Sequence, residues 1–372
     1  MAKVICAGHI CLDITPVFRE GRPVGDIREI LVPGRLIRMD GANVSTGGSV
    51  ANTGLAMKLL GCDTALLGKV GNDAFGGIVR DILEKRGAGG LIADEKNTTS
   101  YTVVLAVPGI DRIFLHDPGA NDTFSADDIP DAALEDACLF HFGYPTLMRR
   151  MYLDGGTELK KLFGRIGDRG IATSLDLAAV DPESEAGQAP WRDILRAVLI
   201  YVDFFMPSFE ELLFMLDRPR YDEMTSRGGD ITALRETPGE ADRLARECLE
   251  MGCGAAVIKC GLSGIVYRTG SADRMRAVGK RLGLDAYRWA DRAGAQPCYK
   301  ADKVLSATGA GDVSIAAYLA AVLSGGGPEE CASLAAAEGA MSVTAYDALS
   351  GILPLDRLRE RLHTGWPLLN ER

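Results

Sequence analysis

Short apolar runs alternate along the chain with longer stretches in which apolar residues recur at helical spacing. The short runs predict buried strands at 3–7, 64–67, 138–142, 172–176, 202–206, 255–259 and 265–268. The periodic stretches predict helices at 49–60, 74–85, 156–166, 191–198, 240–251, 312–323 and 328–343. Strands and helices in alternation are typical of a parallel sheet covered on both faces. The pattern therefore predicts an α/β fold with a doubly wound, mostly parallel sheet and helices on both faces.

Two distant segments depart from this alternation. Residues 15–45 mix Pro and Gly with an alternating piece at 35–39, and residues 101–107 and 112–116 flank a Pro-Gly turn. We expect a small, discontinuous β appendage made of 15–45 and 99–121, on a core made of 1–14, 46–98 and 122–372. Its strands alternate polar and apolar residues, so one face either covers a ligand or pairs with a second subunit in a homodimer.

Two further segments carry many charges and a weak apolar pattern. Residues 217–239 are polar and contain Pro and Gly, which is typical of an exposed insertion. Residues 270–303 are charged and read as irregular structure with a strand or two.

Charge and composition exclude several kinds of partner. The net charge of −10 leaves no basic surplus for nucleic-acid binding. Because no apolar run approaches the roughly 18 residues of a membrane span, we expect no membrane partner. The opening residues lack a cleavage-like end and read as a first strand. The nine cysteines are scattered without a CxxC pair, as reduced thiols of a cytoplasmic protein would be, and the four histidines are dispersed.

The sequence Thr308-Gly-Ala-Gly-Asp312 directly precedes an apolar helix. Glycines allow a tight turn with outward N–H groups, and the first helical turn adds its own unpaired donors and positive dipole end. Such a turn holds an anion, for which an oligophosphate is the obvious candidate. The carboxylate of Asp312 among those donors suggests a base for an attacking hydroxyl. The alternative is a plain strand-to-helix turn with Asp312 as a dipole partner.

Other polar residues follow predicted strands or begin helices, where ligands of open α/β sheets bind. Asp13 could accept two hydroxyl hydrogen bonds from a polyol, and Gly47, Gly48 and Asn52 open a helix in a way that admits a ligand. An ordinary turn and a plain helix cap are the alternatives. Glu211 begins a helix, where a carboxylate could orient water around a magnesium–nucleotide complex, although acidic residues are common there for dipole reasons.

The segment 259–264 ends a strand with flexible backbone and could lie along a nucleotide, or form a simple hairpin turn. The chain has no P-loop motif, and no GxGxxG follows the first strand, which argues against a dinucleotide enzyme.

Taken together, these motifs resemble the ribokinase-like (PfkB) family of carbohydrate kinases. The resemblance extends over nearly the whole chain, and its matching segments are 8–13, 47–76, 101–116, 141–143, 207–211, 259–264 and 307–312. The blocks 47–76 and 307–312 carry the most specific part of the match.

The resemblance implies a role for each matching residue. Asp312 would be the general base, with Gly309, Ala310 and Gly311 as the anion hole. The sugar would be held by Asp13, Gly47, Gly48 and Asn52. The nucleotide would be bordered by Ser208, Glu211, Lys259, Gly261 and Gly264, with Glu211 reaching Mg²⁺ through water. The two β segments would form the family's lid.

Two positions depart from the family pattern. Ser208 stands where the family usually has the Asn of Asn-x-x-Glu, and Ser306 stands where many members have an Asp that helps to bind a monovalent cation. Activation by such a cation is therefore not implied. The sequence predicts an ATP- and Mg²⁺-dependent kinase acting on a primary hydroxyl of a small sugar or sugar-like compound. A nucleoside kinase of the same fold and a sensor that has lost phosphoryl transfer are the alternatives.

Overall fold

The computed structural model describes residues 3–19, 23–110 and 112–369. The strands are β1 Lys3–Gly8, β2 Cys11–Pro16, β3 Ala42–Gly47, β4 Asp63–Leu67, β5 Lys69–Gly71, β6 Ile92–Asp94, β7 Tyr101–Leu105, β8 Ile113–Asp117, β9 Ala137–Gly143, β10 Ala172–Leu175, β11 Phe204–Phe205, β12 Ala255–Lys259, β13 Ile265–Thr269 and β14 Ala293–Gln296. The α-helices are α1 Ser49–Leu59, α2 Ala74–Lys85, α3 Arg149–Tyr152, α4 Thr157–Asp168, α5 Trp191–Val198, α6 Phe209–Leu216, α7 Arg218–Ser226, α8 Thr237–Glu250, α9 Ala272–Leu282, α10 Ala286–Trp289, α11 Ala310–Leu323, α12 Pro328–Ser342 and α13 Leu355–His363.

The main sheet has eight strands in the order β14-β13-β12-β11-β10-β9-β1-β4. The strands from β4 to β12 pair in parallel, whereas β13 and β14 continue the sheet in antiparallel fashion at one edge. Neighbouring strand residues such as Val4 and Ile5 belong to different apolar clusters, because successive side chains point to opposite faces. Helices α4, α5, α6 and α8 pack on one face, and α1, α2, α11 and α12 pack on the other. The predicted doubly wound α/β architecture is confirmed.

A separate four-stranded sheet has the order β3-β2-β7-β8. β2 pairs with β3 in antiparallel fashion and with β7 in parallel, and β8 completes the predicted hairpin with β7. The alternating residues 35–39 form no strand, and most of them are exposed. Alternation alone does not make a strand without a pairing partner, and β2 and β3 pair with each other instead. The domain boundaries drawn from the sequence stay a prediction.

Two segments expected to be irregular contain helices. In 217–239, Asp217 caps α7, and Met224 is buried beneath it. In 270–303, Ser271 caps α9, which buries Met275 and Val278, before the expected strand β14. Each helix buries only one or two apolar residues. The helical spacing of apolar residues is therefore hard to recognise among the many charged residues of these segments.

The carboxyl ends of β1 and β9 meet closely at a pair of glycines. Gly8 lies opposite Gly143 and has φ +124°, and a Cβ atom at Gly8 would lie 2.3 Å from the Gly143 carbonyl oxygen. A Cβ atom at Gly143 would in turn lie 1.7 Å from Oγ of Ser49, the first residue of α1. The absence of side chains thus brings the loops after β1 and β9 against the start of α1. Among the residues that the structure describes, no helix is long and apolar enough to cross a membrane.

Candidate active site

The carboxylate of Asp312 is the centre of a hydrogen-bonded cluster. It lies in the first turn of α11 and is only 3% exposed. Asn52 Nδ2 donates to its Oδ2 at 2.9 Å, and Thr53 Oγ1 donates to its Oδ1 at 3.3 Å. The hydroxyl of Tyr144 lies 2.8 Å from both carboxylate oxygens. Three side chains from two other parts of the chain therefore fix the orientation of this acid.

The loop before α1 explains how Asn52 reaches Asp312. Gly48 has φ +85°, and a Cβ atom there would lie 2.6 Å from the carbonyl oxygen of His9. Only glycine tolerates both this backbone and this approach. Helix α1 therefore begins directly against the loop after β1, and Asn52 lies one turn into it, packed towards α11. Its role in holding a sugar stays a prediction, whereas its contact with the acid is a feature that the sequence did not reveal.

Tyr144 was missed by the sequence analysis. It follows Gly143 at the end of β9 and has the left-handed backbone conformation, with φ 64° and ψ 42°. Non-glycine residues in this conformation cost free energy and are concentrated at functional sites. The only sequence signal is its place directly after the strand-end segment 141–143. A pattern of types and spacings does not show that its hydroxyl reaches a residue 168 positions away.

The surroundings of Asp312 act on its pKa in opposite directions. Burial raises the pKa of this carboxyl, because desolvation disfavours its charged form. Hydrogen bonds from Asn52 and Tyr144 and the charge of Lys259 lower it again, and the net direction remains upward. A carboxylate with a raised pKa is a better proton acceptor than an exposed one.

The two glycines of the Gly-Ala-Gly turn differ in their backbone and in their surroundings. Gly309 has φ +75°, and a Cβ atom there would lie 2.3 Å from Cβ of Ala348. Gly311 has an ordinary backbone, and a Cβ atom there would lie 3.3 Å from Cε of Lys259. Ala310 begins α11, so the N–H groups of the next residues belong to the first turn, whose donors lack partners within the helix. Gly309, Ala310 and Gly311 are partly exposed above the buried Asp312.

Lys259, at the end of β12, connects this turn with a second buried acid. Its Nζ lies 2.6 Å from Oδ1 of Asp176 and donates to the carbonyl oxygen of Met206 at 2.6 Å. Burial raises the pKa of Asp176 to about 8, and the carboxylates of Glu211 and Asp312 add to the rise, although Lys259 opposes it. No sequence pattern points to Asp176, because its partners lie on other strands.

Asp13 lies on β2, in the smaller sheet. A Cβ atom at Gly47, its neighbour on β3, would lie 2.2 Å from Oδ2 of Asp13, so glycine is needed there. The Cys11 thiol donates to Asp13 Oδ1 at 3.3 Å. Burial raises the pKa of Asp13, and the nearby charge of Asp312 raises it further. The charge of Asp312 thus acts on Asp13, and a shared sugar site of Asp13, Gly47, Gly48 and Asn52 stays a prediction.

Ser208 and Glu211 form a reciprocal capping box at the start of α6. The Ser208 N–H donates to Oε2 of Glu211 at 2.9 Å, and the Glu211 N–H donates to Oγ of Ser208 at 3.5 Å. This contact accounts for both residue types in structural terms. Ser208 also pairs with Lys259 by a β-bridge, which places the box beside the Lys259–Asp176 pair. Contacts of Ser208 and Glu211 with a nucleotide stay a prediction.

Gly261 and Gly264 shape the turn between β12 and β13. They have φ +48° and +90°, and a Cβ atom at Gly264 would lie 2.1 Å from the carbonyl oxygen of Gln296. Thr232 holds the turn, because its Oγ1 accepts from the Leu262 N–H at 3.3 Å. The turn therefore has a structural requirement for glycine, and its place along a nucleotide stays a prediction.

Three histidines lie close to these residues. The ring of His9 is 6.1 Å from the ring of Tyr144 and 5.2 Å from the ring of His116 on β8, measured between centroids. Both ring nitrogens of His9 are buried without a hydrogen-bond partner in the described part of the chain. His141 is buried between Ser49 and Ser174 and packs in the core. Burial lowers the pKa of all three, which keeps them neutral.

Residues 3–19, 23–110 and 112–369 contain no group of three or more His, Cys, Asp or Glu side chains that could hold a metal ion.

Comparison with known proteins identifies the family. A family model described as pfkB family carbohydrate kinase matches residues 1–354. The chain belongs to this family. The family and the class of enzyme predicted from the sequence, a carbohydrate kinase, are confirmed.

Individual relatives agree with this assignment. Fructokinase-2 of Oryza sativa subsp. japonica is 28% identical over 185 residues, which are 48% of this chain and 53% of that protein, so the match spans about half of its length. An uncharacterized sugar kinase of Archaeoglobus fulgidus is 26% identical over 302 residues, which are 80% of this chain and 98% of that protein. The crystal structure of a putative ribokinase II from E. coli in complex with ATP and Mg²⁺ has a TM-score of 0.69, 21% identity and coverage of 98% and 100% of the two chains. The ribokinase-like fold is confirmed.

Proposed function

We propose that this protein transfers the γ-phosphoryl group of ATP to a primary hydroxyl of a small sugar or sugar-like compound. The observation that carries the proposal is the buried carboxylate of Asp312, held by Asn52, Thr53 and Tyr144 directly below the Gly-Ala-Gly turn. An oriented acid beside the donors of a helix N-terminus is what transfer of an anionic group to an alcohol requires.

In the proposed reaction, Asp312 takes the proton of the acceptor hydroxyl. The hydroxyl oxygen forms a bond to the γ-phosphorus, the bond from that phosphorus to the bridging oxygen breaks, and ADP leaves. Asn52 and Thr53 keep the carboxylate in position during the transfer. The N–H groups of Gly311 and its neighbours in the first turn of α11 stabilise the charge that develops on the transferring group.

The acceptor would bind between Asp312 and Asp13. Asp13 would accept hydrogen bonds from sugar hydroxyls, while Gly47 and Gly48 leave room for the ligand near the backbone. Asp13 stands on β2 of the small sheet, two residues before the predicted lid segment 15–45, so the lid would lie next to the sugar site. Closing that sheet over the acceptor would exclude water from the reaction.

The donor set fits Mg²⁺ bound mainly by phosphate and water. The charges of Glu211, Asp312 and Lys259 all act on Asp176, so three acids share this region with one ammonium group, and a bound nucleotide needs added positive charge here. Mg²⁺ usually keeps several waters and takes one or two carboxylates, which agrees with Glu211 acting through water. When bound, Mg²⁺ neutralises phosphate charge. Ser208, Lys259, Gly261 and Gly264 would border the nucleotide.

Two further expectations depend on the same proposal. We expect a cytoplasmic enzyme, since each of the nine cysteines is free of a disulfide.

Ser306 stands where many family members have an Asp. Its Oγ donates to Thr308 Oγ1 at 3.1 Å and accepts from the Thr308 N–H. A hydroxyl engaged in this way offers no carboxylate charge, so we propose no monovalent cation requirement.

A coupled assay of ADP release tests the proposal with MgATP and a panel of pentoses, hexoses and nucleosides. We expect turnover with at least one sugar, lost in Asp312→Asn. Turnover with nucleosides alone would instead support the nucleoside kinase alternative. Nucleotide and sugar binding without turnover would support a sensor. An unchanged rate in Asp312→Asn would remove the proposed mechanism.

A further inference from the structure

The hydroxyl of Tyr144 donates to the proposed base, Asp312, from outside the two helices that carry this acid and its other donors. It is an O–H group at 2.8 Å from both oxygens of the proposed base. Burial and the charge of Asp312 raise the pKa of Tyr144 well above its usual value, so the phenol keeps its proton and donates it. The proposed base thus already accepts a hydrogen bond from a hydroxyl group of the protein.

The three donors to Asp312 differ in how firmly they are held. Asn52 and Thr53 lie on α1, whose buried face packs against α11. Tyr144 lies instead in a loop, on a strained left-handed backbone between Gly143 and Pro145. Of these three donors, Tyr144 is therefore the one whose backbone does not belong to the packed pair of helices.

His9 supplies an independent sign that a polar ligand binds beside Tyr144. It is 2% exposed, and both of its ring nitrogens lack a partner in the described residues. Buried polar groups are nearly always hydrogen-bonded, so this ring is expected to gain a partner from a bound molecule. A molecule that reaches His9 also meets the ring of Tyr144, whose centroid is 6.1 Å away.

We propose that the Tyr144 hydroxyl holds the acceptor's place on Asp312 until the acceptor arrives, and thereby keeps water from attacking ATP. Tyr144 is then a positioning residue that the acceptor must displace. This inference rests on the proposed function. It concerns the hydrolysis of ATP, a side reaction that such a kinase has to suppress. Water is also an oxygen nucleophile, and its concentration is high.

The suppressed reaction is hydrolysis. Water would give a proton to Asp312, its oxygen would bond to the γ-phosphorus, and the bond to the bridging oxygen would break, releasing ADP and inorganic phosphate. In Tyr144→Phe the carboxylate loses one donor, and the space of the lost oxygen admits a water molecule that can bind the carboxylate. The same loss removes a contact that lowers the pKa of Asp312.

The test measures ADP and inorganic phosphate released from MgATP without any acceptor. We expect Tyr144→Phe to raise this rate about tenfold, the effect of one hydrogen bond to a charged group. The acid limb of its pH profile should move to higher pH, which a merely structural role would not produce. Adding Asp312→Asn should abolish the gain. Tyr318→Phe, which removes a buried phenol hydroxyl from α11, is the matched control and should leave the rate unchanged.

A second variant changes the contact without removing it. Difluorotyrosine at position 144 is a stronger donor, so it should hold Asp312 more firmly and lower acceptor-free hydrolysis. With a sugar identified by the panel, Tyr144→Phe should lower the KM for that sugar. If sugar-dependent turnover requires Asp312 but neither Tyr144 variant changes hydrolysis or KM, this inference alone is wrong. If turnover does not require Asp312, the proposed function fails first.

Discussion

The side-chain amide of Asn52 donates to the carboxylate of Asp312 at 2.9 Å, although 260 positions separate the two residues in the chain. The contact joins the first turns of two helices, α1 and α11, which begin at glycine-containing loops. It places the proposed sugar-binding helix and the proposed base in one rigid unit.

Asn52→Ala should move the acid limb of kcat/KM to higher pH. The amide of Asn52 favours the charged form of Asp312, so its loss raises the pKa of that acid. We also expect kcat/KM to fall about 10- to 100-fold, the usual effect of losing a hydrogen bond to a charged group. The measurement is ADP release across pH. Asn72→Ala, which removes an exposed amide bonded to Glu95, is the control. A lower rate with an unmoved pH profile would contradict the assigned contact.

Asp312→Asn should lower turnover by about 10²–10⁴ without loss of stability. Burial raises the folded-state pKa of Asp312 above its value in the unfolded chain. The folded protein therefore binds this proton more tightly, and stability falls as pH rises through the folded pKa. The variant removes that penalty, so it should gain stability at neutral pH and gain little near pH 4, about the ordinary pKa. Urea denaturation at both pH values checks this, and a destabilised variant at neutral pH would refute it.

Substitutions at the two glycines of the turn should separate stability from activity. At Gly309, alanine requires positive φ and meets Cβ of Ala348, so Gly309→Ala should lose about 1–3 kcal/mol of unfolding free energy. At Gly311, the backbone is ordinary and alanine meets only the Lys259 side chain, at 3.3 Å from Cε, so Gly311→Ala should lose less stability than Gly309→Ala but crowd the phosphate. Denaturation together with ATP titration distinguishes the two. Unchanged ATP affinity in Gly311→Ala would remove Gly311 from the proposed anion hole.

Lys259→Met should cost stability because it leaves Asp176 buried without its cation. Breaking a buried pair in this way typically costs about 3–5 kcal/mol. The loss of stability should be larger at alkaline pH. The pKa of Asp176, already about 8, rises further without Lys259, so at lower pH the acid is protonated and much of the cost of burying its charge is avoided. Adding Asp176→Asn should restore part of the stability. Denaturation of the three variants is the measurement, and a double variant no more stable than Lys259→Met would contradict the pairing.

One face of the small sheet offers an apolar surface for a homodimer. Val44 on β3 and Leu115 on β8 are about half exposed and share this face, because both align with Ile14 and Val103 on the two strands between them. If this face pairs with a second subunit, sedimentation velocity should show dimers of the wild-type chain and monomers of Leu115→Asp, with unchanged thermal stability. Monomers of the wild type at micromolar concentration would count against the dimer.

The elements that the sequence predicted best have a strong apolar stripe and clear ends. Helix α2 begins and ends where the pattern places it, because Asp73 caps its first turn and Val79 and Leu83 face the core. Helix α9 was missed, because only Met275 and Val278 are buried among its charged residues. Its stability depends on tertiary packing, which the local sequence does not show.

The site residues also divide into those that the sequence predicts and those that it does not. Asp312 and its turn were predictable, since a helix N-terminus beside glycines has a known electrostatic character. Tyr144 and Asp176 were not, because their importance lies in contacts with Asp312 and Lys259, residues on other elements. Those contacts are a property of the strand order, in which β9, β10 and β12 end near one another.

The cluster around Asp312 draws its parts from three stretches of chain, near 52, 144 and 312. The exposed Gly228-Gly229 turn lies between the second and third of them. A protease that nicked the chain there would put the acid on one fragment and its three donors on the other. Neither fragment alone could phosphorylate anything, and recovery of turnover on mixing would report reassociation of the two halves across the sheet.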